Sequence, residues 1–171
     1  MGNPGFSARG SDGLTLIELL VTLSVAAILL LVGVPSYNRF ITDYQLGTDQ
    51  QKLRSLLSLA RSGAVHSGVS AVVCRWDRNS GCSGYAQSGS YTWQGALLFI
   101  DENGDKQLNS PEERVIRVQA FEAENRVSWN RGEVLVYQPD GSLSGGSNGT
   151  FALSRGEDVR TLVISLTGRV R

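Results

Sequence analysis

The stretch LTLIELLVTLSVAAILLLVGV, residues 14–34, holds 21 residues with a single charge, Glu18, and three other polar side chains, Thr15, Thr22 and Ser24. Wound as an α-helix it is about 31 Å long, close to the roughly 30 Å of hydrocarbon in a bilayer. It reads as a membrane span. Thirteen residues precede it, Met1 to Gly13, rich in Gly and Ser and carrying only Arg9 and Asp12 as charges. An ordinary secretory signal has a basic start, a shorter apolar core and a small-residue cleavage site behind that core. Val34-Pro35-Ser36-Tyr37 supplies no such site.

Beyond Pro35 the pattern turns amphipathic without losing helical spacing. Tyr37, Phe40 with Ile41, Tyr44, Leu53, Leu56 with Leu57, Ala60 and Ala64 recur every three or four residues. A helix from Leu14 to about His66 is some 80 Å long, so its first half must lie outside any globular core. Pro35 removes one backbone hydrogen bond and is expected to bend it, and Gly33 and Gly47 soften it. After Ser67-Gly68 the periodicity changes to short β-like runs, at 69–76, 91–100, 114–120, 126–129, 133–137, 150–153 and 160–166. Turn signals separate them at Asp77 to Gly84, Asn103-Gly104, Pro139-Asp140-Gly141 and Gly145 to Gly149, and Ser142 to Gly149 reads as a flexible loop. Strands so close in sequence leave no room for helical crossovers, so the sheets are expected to be mainly antiparallel. The expected fold class is α+β: a long N-terminal helix packed on a mainly antiparallel β domain.

Composition narrows the function. The chain has 171 residues, sixteen Lys/Arg against sixteen Asp/Glu, and 41% hydrophobic residues. It is too apolar for disorder, and no bulk charge draws it to a polyanion, so a charged partner must be met by a local patch. Two Cys are too few for a Cys-based zinc site, and the single His66 excludes a multi-His metal centre. There is neither a Gly-x-Ser-x-Gly elbow nor a phosphate loop, and His66 has no evident nucleophile partner. No enzymatic activity, no cofactor and no metal are expected. Trp76, Trp93 and Trp129 lie in β-like runs and read as core anchors.

Glu18 is what a plain anchor leaves unexplained, because a carboxylate at the centre of a spanning helix costs roughly 2.5–3.5 kcal/mol. A cut between Gly13 and Leu14 places a new α-amino group five residues from Glu18. In a bundle of identical helices each amine then neutralises a neighbour's carboxylate. A protonated or snorkelling Glu18 in a simple signal anchor is the alternative.

Gly13-Leu14-Thr15-Leu16-Ile17-Glu18-Leu19-Leu20-Val21-Thr22-Leu23 resembles the class III leader junction of type IV pilins and type II secretion pseudopilins, with Gly before the cut, Glu five residues after it and Pro35 twenty-two residues after it. Leu14 stands where Phe is usual. The resemblance implies a cleaved leader (1–13), cleavage by a prepilin peptidase between Gly13 and Leu14, N-methylation of Leu14, and a filament-core transmembrane helix (14–34) in which Glu18 and Pro35 serve assembly. An amphipathic helix half (35–67) and a β domain (68–171) follow. Trp93 to Asp101, Asn148 to Leu153 and Thr167 to Arg171 resemble three signatures of the GspH/FimT subgroup, and Ser154 stands where many members have Cys. The function so implied is a non-enzymatic minor type IV pilin near the filament tip. Its partners are other major and minor pilins, and it resides in the inner membrane before assembly and in a periplasmic or cell-surface pilus afterwards. A minor pseudopilin of type II secretion is the alternative.

In that exported setting Cys74 and Cys82 are expected to form a bridge closing a small loop, two free thiols being the other possibility. Asp101, Asn103, Asp105, Gln107, Asn109 and Glu112 have the oxygen spacing of an EF-hand-like loop. Lys106 in the place of the turn Gly, and strand-like flanks, make a solvated turn the preferred reading. Finally, Gly168-Arg169-Val170-Arg171 matches the C-terminal Gly-Arg-x-Arg through which some FimT-like proteins take up DNA in natural transformation. In an extended segment Arg169 and Arg171 project from one face, where guanidinium groups can hold adjacent phosphates of double-stranded DNA. Arg160 is expected to assist; a solvated tail, in which the terminal carboxylate offsets one of the charges, is the other reading.

Overall fold

The computed structural model describes residue 13 and residues 15–76, 78, 81–109, 111–145 and 148–171, without the side chains of residues 32, 35 and 38. The expected leader and the expected methylation site Leu14 lie, apart from Gly13, outside the described residues. Helix α1 spans Leu16–Ser67 and continues through position 35. Thr15 caps it, its Oγ1 accepting the N–H of Glu18 at 3.3 Å, which puts Glu18 in the first turn where the helix dipole favours a negative charge. At the other end Gly68, at φ 70°, donates its N–H to Ala64 O at 3.0 Å and stops the helix.

The chain divides into two units, Met1–Phe40 and Ile41–Arg171. In the first, every described side chain from Thr15 to Phe40 is exposed. Thr22 and Ser24 donate their hydroxyls to the carbonyls of Leu19 and Leu20 at 2.9 and 2.8 Å, so neither adds an unpaired donor to the apolar surface. Among the described residues no helix is long and apolar enough to cross a membrane.

The second unit holds the whole described core. Strands β1 (Ser70–Trp76), β2 (Tyr91–Trp93), β3 (Gly95–Asp101), β4 (Val115–Ala120), β5 (Arg126–Trp129), β6 (Val134–Tyr137), β7 (Gly149–Arg155) and β8 (Asp158–Ile164) form two antiparallel sheets, ordered β4-β3-β1-β6 and β2-β5-β7-β8. Leu46, Leu53, Leu56, Leu57, Ala60 and Ala64 of α1 are fully buried among Ala71, Val73 and Leu98 of the first sheet and Val127, Phe151 and Leu162 of the second. Trp129 stacks on Phe151 at 4.3 Å and Trp93 meets it edge-on at 5.2 Å. The alternation along β1 sends Val72 and Cys74 to the other face of its sheet. There they pack with Leu97, Phe99, Val134 and Val136 beneath Tyr85 and Leu108 from the loops.

Three local expectations are corrected. The run 91–100 is not one strand, because the chain bends at Gln94 and changes sheets between β2 and β3. A Cβ at Gly95 would lie 2.6 Å from the Trp76 ring and 2.7 Å from Gln119 O, so only glycine fits that crossing. Tyr37, Phe40 and Tyr44 share the helical period of the core residues but are exposed, the first fully buried side chain described on α1 being Leu46. Nor is the start of the loop at 142–149 loose: Leu143 is buried, bridges Tyr137 and donates its N–H to Leu166 O at 2.9 Å.

The loop between β1 and β2 is held by charge and by covalent bond. Cys74 and Cys82 form a disulfide with Cα atoms 5.6 Å apart. The Glu133 carboxylate accepts from Arg75 Nε at 2.8 Å and from the Ala86 N–H at 3.3 Å. Buried Asp49 on α1 does the same for the loop after β4, accepting from the Glu122 N–H at 2.8 Å and from Asn125 Nδ2 at 2.7 Å.

Candidate functional site

After β8 the chain turns at Ser165 to Gly168 and runs back along that strand. The N–H of Arg171 donates to Val163 O at 2.9 Å, the N–H of Val163 to Arg171 O at 3.0 Å, and the N–H of Ser165 to Arg169 O at 3.0 Å. Val170 bridges Ile164 and packs on the core, while Arg169 and Arg171 are exposed. The segment is therefore a short added strand with alternate side chains in and out, and both guanidinium groups lie on its outer face. It also occupies part of the edge that β8 would otherwise leave open.

Gly168 is required by this turn. It takes φ 73°, and a Cβ there would strike Gly141 O and come within 2.9 Å of the Tyr137 ring. Tyr137 is fully buried, with its hydroxyl 3.5 Å from Gly168 O. Burial pushes its ionisation well above the ordinary tyrosine range, against a smaller opposing effect of Arg61, so the hydroxyl keeps its proton.

Across from the tail stands α1. Arg54, Ser58 and Arg61 share an open groove of about 420 Å³ with Gly168, Arg169, Val170 and Arg171. The three helix residues stand at i, i+4 and i+7 and so lie on one face. Arg61 Nε donates to Gly141 O at 3.1 Å, fixing it beside the turn that Gly168 packs against. No Asp or Glu lines the groove, and among the described residues none of Arg54, Arg61, Arg169 and Arg171 is in an ion pair. The helix arginines had no role in the sequence reading. The signal for them was the absence of any carboxylate from Gln50 to Trp76, a stretch holding Lys52, Arg54, Arg61 and Arg75.

Arg160 is not part of this groove. It pairs with Asp43 at 2.5 Å, lies 3.5 Å from Gln50 Oε1, and covers Gly47 in a separate cleft along α1. Its charge is answered by a residue 117 positions away in sequence, which strand periodicity does not reveal.

The acidic loop after β3 folds on its own carboxylates. Asp101 accepts the N–H groups of Gly104 and Lys106 at 3.0 and 3.1 Å, and Asp105 that of Gln107 at 2.7 Å. Lys106 takes φ 65° where an EF-hand has its glycine. Carboxylate oxygens of Asp101, Asp105 and Glu113 come within 4.8 Å of one another, and it is buried Glu113 rather than exposed Glu112 that turns inward. Burial raises the Asp101 pKa, partly opposed by the two N–H donors. At exposed Asp105 the hydrogen bonds from Asn109 and Gln107 lower it.

The family model of the type II transport protein GspH matches residues 49–168, most of the described β unit together with the helix face that packs on it. The chain belongs to the GspH family. The prokaryotic N-terminal methylation motif matches residues 8–34, which includes Gly13, Leu14 and Glu18. Two crystal structures of the type IV minor pilin FimU of Pseudomonas aeruginosa share the fold. One has a TM-score of 0.56 at 19% identity, covering 77% of this chain and 90% of that one; the other has 0.51 at 18%, covering 71% and 86%. No curated protein matches the chain. The GspH-family fold is thus that of a minor-pilin or pseudopilin subunit, a helix on two antiparallel sheets, as the resemblance implied.

Proposed function

We propose that this GspH-family protein is a non-enzymatic minor type IV pilin that also binds DNA through its C-terminal arginines. The observation that carries the pilin reading is the first unit. Within a segment bearing the methylation motif, a capped helix exposes every described apolar side chain from Leu16 to Phe40, with one carboxylate in its first turn. Such a surface needs lipid before assembly and neighbouring helices after it. Residues 14–34 span the inner membrane, a prepilin peptidase cuts between Gly13 and Leu14, Leu14 is methylated, and Glu18 pairs with a neighbour's new amine as major and minor pilins assemble. Pro35 marks the passage from the filament-core helix to the amphipathic half, and the β domain is carried toward the cell surface near the filament tip. Mass spectrometry of protein from cells with and without the peptidase tests this. A mature N-terminus at methylated Leu14 is expected only with the peptidase, and an intact Met1 in its presence would leave a plain signal anchor.

The DNA reading rests on the added strand, which holds Arg169 and Arg171 outward on a backbone fixed at Gly168. Phosphates rather than base edges are the expected target, so binding to double-stranded DNA is weak, salt-dependent and nearly independent of sequence. The test is fluorescence anisotropy at low salt with the full chain in nonionic detergent. Arg169→Gln/Arg171→Gln is expected to weaken binding at least tenfold, and equal binding by variant and wild type defeats the reading. The family model's own description favours a second reading, a minor pseudopilin of type II secretion. Deletion separates the two: loss of pilus assembly and DNA uptake for the first, loss of protein secretion for the second.

A further inference from the structure

We infer that helix α1 supplies the second wall of a phosphodiester-binding groove, with Arg54 and Arg61 as DNA ligands equal in weight to Arg169 and Arg171. This rests on the DNA reading of the tail and extends it to residues far away in sequence. The four arginines line one groove of about 420 Å³, large enough for a strand of sugar-phosphate backbone and too small for a duplex. Arg54 and Arg61 are separated by about 10 Å along the helix axis, and Arg169 and Arg171 by about 6.6 Å along the strand. Two pairs of cationic residues therefore line one groove, one pair from α1 and one from the tail, with Ser58 between the helix pair in sequence as a further donor. A second hollow, of about 530 Å³, shares Ser58 and Arg61, continues past Ser62 and Val65 to His66, and likewise has no Asp or Glu in its lining.

Electrostatics explains why this arrangement asks for a polyanion. Like charges gathered in one groove repel, and a structural cluster would contain the carboxylates that Arg75, Arg155 and Arg160 have found in Glu133, Glu124 and Asp43. Here no Asp or Glu side chain is provided. A phosphate backbone entering between helix and tail relieves the repulsion on both walls at once, and each guanidinium can offer paired donors to a phosphate. The occupant is one strand of duplex DNA presented as a ridge, its bases pointing away from the groove.

The full chain in nonionic-detergent micelles, titrated onto a labelled duplex of random sequence at several salt concentrations, separates the possibilities. Four phosphate contacts give a slope of log K against log salt of about −3.6, so a fourfold rise in salt weakens wild type about 150-fold. Arg54→Gln/Arg61→Gln is expected to halve that slope, leaving about a 12-fold loss over the same range, and Arg169→Gln/Arg171→Gln to do the same. Arg114→Gln/Arg117→Gln removes equal charge from around β4 and should leave the slope unchanged. Because Arg61 also bonds Gly141, Arg54→Gln is read alone as well, with an expected slope change of about one. Thermal melting without DNA adds a readout of structural role: relieving repulsion leaves the Tm of Arg54→Gln unchanged or higher at low salt, whereas a stabilising arginine would lower it. A helix variant that keeps the wild-type slope overturns the inference and leaves the tail reading standing. A wild-type chain that binds no duplex at the lowest salt overturns both.

Discussion

Gly168 has the least tolerance of any residue in the groove, because the turn demands a left-handed backbone and the space beside it is filled by Gly141 and Tyr137. Gly168→Ala is expected to destabilise the fold by about 1–3 kcal/mol and to weaken DNA binding as much as loss of both tail arginines, although every arginine remains; thermal melts and anisotropy measure the two effects. The tail motif could be read from sequence, but the reason for its glycine could not, since that reason lies in the loop after β6. The same holds for Arg160, whose partner Asp43 is on α1. The acidic loop gives a second expectation at this scale, with opposite signs in two neighbouring aspartates. Asp101 binds its proton more readily folded than unfolded, so its contribution favours folding below the ordinary pKa of 3.8 and fades as pH rises through the folded value. Asp105 and Asp140, held by hydrogen bonds, do the reverse: their contributions are present above 3.8 and fade as pH falls through the lowered values. A carboxyl-carbon NMR titration should find Asp101 titrating last of the three as pH is raised.

Among the elements, the connection from β1 to β2 combines a disulfide with the Arg75–Glu133 pair, and these fail separately. Reduction, or Cys74→Ser/Cys82→Ser, is expected to cost about 2–3 kcal/mol through the freed loop, lowering Tm by about 5–10 °C without loss of the sheets, because Glu133 still holds Arg75 and Ala86; circular dichroism of the reduced chain checks this. A collapse of sheet signal on reduction would show that the salt bridge holds nothing alone. Most element boundaries were legible because period and punctuation are local: helix to Ser67, turns at Gly104 and Gly141, a β-like run at 69–76. The crossing at Gln94 was not, since 91–100 is uniformly strand-like and only Trp76 and Gln119, brought up by folding, force the change of sheet at Gly95. Arg54 and Arg61 escaped for a related reason, their facing strand lying more than a hundred residues downstream.

On the scale of the molecule, every buried apolar side chain described lies at or after Leu46, so residues 41–171 contain what their fold needs while the first unit is left with an uncovered apolar surface. Glu18 sits on that surface. Glu18→Ala and Glu18→Lys are therefore expected to insert in the membrane and keep the wild-type melting temperature of the β unit, yet to be absent from sheared filaments; membrane fractionation and immunoblots of the filament fraction check this, and normal incorporation of both variants would sink the pairing account. Arg54, Arg61, Arg169 and Arg171 all belong to the second unit, so a cut after Phe40 would leave both walls of the arginine groove in one piece.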